Sequence, residues 1–245
     1  MNNKPVLYQF SISHYCEKAR WALDFKDIDY QIKNLLPGLH RKPILRFASD
    51  TAVPVLSINN AHIQYSDKII DYLDANIPVN PLTPSDTKLA EEAREWEHYA
   101  SRIIGEPLRC YFYHYLLQHP PLVIQRWTRG GPWYGKLFYT LTFRKVQQLV
   151  RKGYKINEDT AKVSRTTIEK AMGELAEHLR DRKYLTGDQF SRADLSVCAL
   201  LAPLVRPDSY DTSVQLPAEI EAFCQELQNH AVYSWVRDIY QKYRR

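Results

Sequence analysis

Four short stretches of this chain place hydroxyl, thiol or backbone groups where they could bind or activate an anion. The first is Ser13-His14-Tyr15-Cys16, between an apolar run at residues 5–10 and a helical pattern beginning near Tyr15. A helix start carries unpaired N–H groups and partial positive charge. A hydroxyl there can donate to a thiolate, and a thiol so held ionises more readily and becomes a nucleophile. Ser13 also suits the plainer task of an N-cap. Cys16 is a second candidate, because thiols at helix starts can be reactive. It shares a helix face with Ala19 and Leu23, however, which reads as a core position.

The second stretch is Val53-Pro54, ahead of an alternating run. A cis proline there would turn the chain and leave the N–H and C=O of Val53 free to pair with an extended peptide; a trans proline opening a strand is the ordinary case. The third is Tyr65-Ser66-Asp67, where a helical stripe begins. Ser66 is placed to cap that helix, and the same terminus could hold a carboxylate. Asp67 would complement the dipole. The fourth, Ser191-Arg192-Ala193-Asp194, fits a capping box ahead of an apolar run and reads as structural.

These residues need elements to position them. Residues 5–10 suit a strand, and Cys16, Ala19 and Leu23 mark one face of a helix. Residues 28–35 alternate loosely, and a basic loop from Pro37 to Pro43 follows, with a short helix after it. Val53 to Ile58 and Ala61 to Tyr65 flank Asn59-Asn60, a two-residue hairpin turn. Ile69, Ile70, Leu73 and Ile77 then form a helical stripe. That order, βαβ then ββα, packs as an α/β sandwich with one mixed sheet. Residues 78–84 hold Pro78, Pro81 and Pro84 and read as a linker. Everything beyond is helical in period. Leu89, Ala93, Trp96, Ala100 and Ile103 make one stripe, and Ile168, Ala171, Met172, Leu175 and Leu179 another. Leu195 to Val205 is apolar nearly all round and reads as the central helix of a second core. The division expected is 1–77, 78–84 and 85–245.

Bulk composition narrows the function classes. At 245 residues, with 44% hydrophobic and 25% charged, the chain is globular and long enough for two ordinary domains. A net charge of +5 is small for that length. Lys242, Arg244 and Arg245 form a basic cluster that reads as a solvated helix end, so no nucleic-acid partner is expected. Cys16, Cys110, Cys198 and Cys224 form no CxxC, and the opening Met-Asn-Asn-Lys has no apolar leader; free thiols in a reducing cytosol are expected. No transmembrane stretch is expected. The histidines and cysteines show no metal-ligand spacing, so no metal is expected.

In this order and spacing, the Ser13-x-x-Cys16 helix start, the Ala52-Val53-Pro54-Val55-Leu56 hairpin, the Tyr65-Ser66-Asp67 helix start, the proline-rich linker and Phe190-Ser191-Arg192-Ala193-Asp194 resemble the cytosolic glutathione transferase superfamily. The resemblance implies a thioredoxin-like N-terminal α/β domain, an all-α C-terminal domain, glutathione as co-substrate and a small hydrophobic electrophile in the cleft between them. By position, Ser13 matches the thiol-activating residue of the serine-type classes. Val53 matches the residue whose backbone pairs with the cysteinyl part of glutathione, Pro54 the cis proline, and Ser66 the holder of the γ-glutamyl carboxylate. His40, or Arg41 or Lys42 beside it, falls where the glycyl carboxylate is met. Tyr65 stands where the family usually has Glu or Gln, which removes one partner for the γ-glutamyl amino group; Asp67 is the nearby substitute. The family also implies a homodimer. Two other functions stay open at this point: a thiol–disulfide oxidoreductase working through Cys16, and a non-catalytic binding module on the same fold.

Overall fold

The computed structural model describes residues 4–210 and 215–244. Its first part runs β1 (Val6–Gln9), α1 (His14–Phe25), β2 (Gln31–Asn34), the short α2 (Arg41–Ile44), β3 (Val55–Ile58), β4 (Ala61–Gln64) and α3 (Ser66–Asn76). The sheet order is β2-β1-β3-β4. β1 pairs with β2 in parallel and with β3 antiparallel, and β3 pairs with β4 antiparallel. The β3–β4 turn works because Asn59 and Asn60 take φ values of 49° and 64°, which asparagine tolerates better than most residues. Leu7 and Leu56 of the sheet are fully buried together with Ala19, Leu23, Ile69 and Leu73 of α1 and α3.

The proline-rich segment after α3 packs instead of swinging free. Leu82 is fully buried. Prolines remove donors, so nearby carbonyls need others. Lys26 supplies them: its buried ammonium donates to Ile77 O at 2.8 Å and Val79 O at 3.0 Å, and pairs with Asp74 at 2.9 Å.

The helical part follows as α4 (Thr87–Tyr99), a π-helical segment (Ala100–Gly105), α5 (Glu106–Leu116), α6 (Pro120–Thr128), α7 (Gly135–Gly153), α8 (Glu158–His178), α9 (Arg192–Val205), α10 (Ala218–Leu227) and α11 (Ala231–Tyr243). A thioredoxin-like α/β unit followed by an all-α unit is the arrangement expected. α9 is buried along its length apart from Pro203, as its all-round apolar pattern requires. Its capping box forms. The Asp194 carboxylate accepts from Leu185 N–H at 2.8 Å, Ser191 N–H at 2.9 Å and the Ser191 hydroxyl at 3.1 Å. Burial pushes that carboxyl up to about 6, against the pull of these donors.

Two expectations are corrected. Ile103 is 37% exposed, and Ile104 takes the fully buried position where the π-helical segment offsets the stripe. Arg244 is not a solvated helix end: it pairs with Glu17 at 2.8 Å and Asp24 at 2.5 Å, fastening the end of α11 to α1. Arg245 lies outside the described residues.

The two parts are joined by buried charge. Arg192, 1% exposed at the start of α9, donates to Glu97 of α4 at 2.8 Å and Asp71 of α3 at 2.7 Å. Glu97 also pairs with Lys18 of α1 at 2.5 Å. Removing one partner from such a network strands a buried charge. Arg192→Ala is therefore expected to cost about 3–5 kcal/mol, read as a lower urea midpoint at unchanged slope. A loss within experimental error would mean that the network does not hold the two parts together.

Candidate functional site

Between the β1–α1 turn, the loop ahead of β3 and the inner sides of α5 and α7 lies a cleft of 620 Å³. A neighbouring hollow of 510 Å³ runs across the start of α3 toward α4. Tyr15, Ala52, Val53 and Arg109 line both, so the two hollows adjoin at these residues.

Ser13 lines the larger cleft as the N-cap of α1. Its Oγ accepts from Cys16 N–H at 3.4 Å, which leaves the hydroxyl proton available to a second partner. The cap and an outward-donating hydroxyl are thus compatible. Cys16 is fully buried and lines neither hollow. Burial pushes its thiol up, and the lesser pulls of Ser13 and Arg20 do not reverse the direction. The structure does not bring Cys16 to the cleft, because its helix face turns into the core.

Val53 joins Pro54 through a cis peptide bond. Among the described residues neither Val53 N–H nor its C=O is paired within the chain, and Val53 lines both hollows. Pro54 lines the smaller hollow, and its carbonyl accepts from Tyr65 N–H at 3.1 Å. The N-cap of α3 is Tyr65, not Ser66: Tyr65 takes φ 75°, and Ser66 is the first helical residue, with no capping bond. The positive φ is unusual for a bulky residue. It turns the chain so that the helix start, with Ser66 and Asp67, borders the smaller hollow. Among the described residues the Ser66 hydroxyl has no hydrogen-bond partner. The Tyr65 hydroxyl donates to Asp50, and Tyr65 itself lines the smaller hollow.

His40 lines the larger cleft, yet both ring nitrogens are engaged. Gly38 N–H donates to Nδ1 at 3.0 Å, so Nε2 carries the proton and donates to Thr51 O at 3.0 Å. Burial lowers its pKa, in keeping with a neutral ring. Arg41 lines the same cleft and Lys42 does not. Tyr8 packs at a tilt against Phe47 and lines neither hollow.

Position along the chain did not single out Arg109, a cation that lines both hollows. Its guanidinium sits 4.2 Å from the Tyr154 ring centroid and 5.9 Å from that of Tyr15, with no carboxylate paired to it among the described residues. A helical Arg beside Tyr and Phe looks like any amphipathic position. Only its i, i+4 spacing to Tyr113, another cleft residue, hinted at a shared face.

Comparison with known proteins fits this geometry. The glutathione S-transferase N-terminal domain family matches residues 7–81, and the glutathione S-transferase C-terminal domain family matches residues 134–229. Together they take in well over half of the chain. The chain belongs to the cytosolic glutathione transferase superfamily.

Curated relatives match over part of their length. "Glutathione S-transferase 1" of Dianthus caryophyllus is 38% identical over 86 residues, 34% of this chain and 39% of that protein. "Probable maleylacetoacetate isomerase" of Caenorhabditis elegans is 33% identical over 95 residues, 38% of this chain and 44% of that one. The matches thus span less than half of each relative. Among solved structures, a glutathione S-transferase from Xanthobacter autotrophicus superposes with TM-score 0.64 at 18% identity, covering 97% of this chain and 93% of that one. One from Methylobacterium radiotolerans, in complex with glutathione sulfonate, gives 0.59 at 18% identity, covering 95% and 93%. At these identities the likeness is one of fold.

In this superfamily member the mouth of the site is set by close contact between α1 and the π-helical segment. His14 Nε2 lies 3.1 Å from Gly105 O, and the Tyr15 hydroxyl donates to Ser101 O at 2.7 Å. A Cβ on Gly105 would fall 2.6 Å from the Tyr15 hydroxyl, so only glycine allows the approach. His14 is buried, and burial first, then Arg109, push its pKa down to about 3. Its ring is therefore neutral when folded and takes a proton near the ordinary histidine value of 6.5 when unfolded. The unfolded chain binds more protons between those values, so this contribution to stability is complete above 6.5 and is lost as pH falls toward 3. His14→Gln should flatten the fall in stability over that window, by up to about 1.4 kcal/mol per pH unit. Denaturant titrations at a series of pH values measure it; identical slopes in the two proteins would exclude His14.

Proposed function

We propose that this chain is a glutathione transferase in which Ser13 holds the glutathione thiolate while it attacks a small hydrophobic electrophile. The observation that carries the reading is the set of groups that line two adjoining hollows. Ser13 stands at the start of α1, and among the described residues Val53 has an unpaired backbone N–H and C=O and Ser66, at the start of α3, a hydroxyl without a partner.

On this reading the tripeptide lies extended beside Val53, forming a short added strand. Its γ-glutamyl carboxylate sits at the start of α3 against the Ser66 hydroxyl and backbone N–H groups. Asp67 meets the ammonium in place of the usual Glu or Gln. The glycyl carboxylate is assigned to Arg41, since the ring nitrogens of His40 are engaged within the loop. The sulfur faces Ser13. The thiol proton leaves to water, and the Ser13 hydroxyl and the field of α1 stabilise the thiolate. The thiolate then forms a C–S bond to the electrophile, and either a leaving group departs with the electron pair or a proton is taken up. Arg109 faces the same space and lowers the cost of negative charge there. The electrophile rests on the apolar walls supplied by Phe112, Trp127, Val146 and Val150.

Burial of Cys16 leaves the oxidoreductase reading without an accessible thiol. A cytoplasmic homodimer is part of the proposal on family habit alone.

Ser13→Ala removes a hydrogen bond to a charged sulfur, an interaction of about 1.5–3 kcal/mol. Turnover at saturating glutathione should fall about 10- to 100-fold, and the thiol pKa of bound glutathione, read by thiolate absorbance, should rise by about 1–2 units. Unchanged turnover at matched occupancy removes Ser13 from the mechanism. Calorimetry showing no glutathione binding at millimolar ligand would remove the enzyme and leave a binding module on this fold.

A further inference from the structure

α7 has two unlike faces. Gly135, Tyr139, Phe143 and Val146 are buried on the inner one. The outer one carries Trp133, just ahead of the helix, 89% exposed, then Leu137 at 60% and Leu141 at 77%. Leu137 and Leu141, at i and i+4, lie in one line along the helix, and Trp133 stands just ahead of its start. Lys136, Arg144, Lys145 and Lys152 flank or extend that line, all exposed and without an anionic partner among the described residues. No Asp or Glu occurs anywhere from residue 107 to residue 157. The basic residues Lys136, Arg144, Lys145, Arg151 and Lys152 of this one helix match the net charge of the whole chain, +5. Basic residues are therefore concentrated on this helix.

We infer that the outer face of α7 is a docking surface for an anionic lipid bilayer. Water is a poor solvent for an apolar line of this kind, and patches of exposed Trp and Leu mark interaction sites. A helix with apolar residues on one line and Lys and Arg around it lies in a bilayer interface, the cations meeting lipid phosphates and the Trp settling at headgroup depth. Charge complementarity selects the occupant. A second copy of the chain would bring the same unpaired cations against this face, and like charges repel. Nucleic acid would match the charge but leave Trp133, Leu137 and Leu141 without apolar contact. The surface is a convex helix about 28 Å long, offering no groove for a protein segment. No helix among the described residues is long and apolar enough to cross a membrane, so the contact is peripheral. Val146 and Val150, on the same helix, line the cleft, which places the docking surface and the cleft on two sides of one wall. The inference does not rest on the glutathione reading.

The test is co-sedimentation of the full chain with vesicles of phosphatidylcholine alone and of phosphatidylcholine containing phosphatidylglycerol, at low and high salt. Binding is expected to the anionic vesicles only and to weaken with salt. Arg144→Glu combined with Lys145→Glu should lower the partition coefficient at least about tenfold. Trp133→Ser combined with Leu137→Ser and Leu141→Ser should do the same. All these side chains are exposed, so the thermal melting profile should hold in both variants. Absence of binding to anionic vesicles overturns the inference, as does binding that neither variant weakens. It is equally overturned if the protein binds duplex DNA or an acidic peptide through this face but no vesicle, or if the apolar substitutions split a dimer.

Discussion

The site depends on one buried carboxylate. Glu97 of α4 holds Lys18 of α1 on one side and Arg192 of α9 on the other, with all three side chains nearly inaccessible to water. Taking three charges out of water costs several kcal/mol each, and only a network that pairs every one of them repays it. Arg192 extends the network to Asp71 of α3 and, through Thr83 Oγ1 at 3.1 Å, to the proline-rich segment. One guanidinium thereby touches α3, α4 and the linker. Apolar packing alone tolerates sliding between helices, whereas paired charges have one good geometry. That geometry fixes α1, and so Ser13 at its start, relative to the helices that form the other wall of the cleft.

The rest of the cleft follows from two further contacts across the same boundary. On one side, His14 and Tyr15 reach the π-helical segment over Gly105. A wider turn there presents backbone carbonyls that a regular helix would keep for itself. On the other side, the Asn34 side chain donates to Gly130 O at 3.2 Å and the Tyr139 hydroxyl donates to Pro37 O at 2.7 Å. The glycines of this loop have a physical role as well. Gly130 takes φ 63°, and a Cβ on Gly135 would fall 2.9 Å from Leu36. α6 and α7 are thus pinned onto the loop after β2, and the cleft gains a wall opposite Ser13.

Features decided by neighbours in the chain are legible from residue types. The Asn59-Asn60 turn, the Ser191-Asp194 box, the Ser13 cap and the all-round apolar α9 each need only a few adjacent residues, and each is found where expected. Features decided across the domain boundary are not. In the sequence Arg192 is one letter inside a capping box, and nothing local shows that its guanidinium spans three elements. Arg109 is an ordinary helix residue until the fold sets it between Tyr15 and Tyr154. The cap of α3 falls one residue earlier than residue types suggest, because a positive φ at Tyr65 breaks the rule that small polar residues cap helices. Ile103 and Ile104 exchange places because an apolar stripe assumes an unbroken helical phase.

Two thiols can stand near the start of α1, and the fold treats them differently. Cys16 lies within the first turn, under the same dipole that the proposal assigns to glutathione sulfur. Its thiol is nonetheless held protonated, because the helix field contributes about 0.3–1 kcal/mol whereas burying an ion costs several. A sulfur beside Ser13 would meet the same field in a cleft that still admits water, with the proton of the Ser13 hydroxyl available to donate and Arg109, which has no carboxylate paired to it among the described residues, lining the same space. The field is the same and the desolvation is not, so on the proposed reading desolvation is what separates the two thiols. The chain thereby keeps its own cysteine in the core, away from the cleft that Ser13 lines.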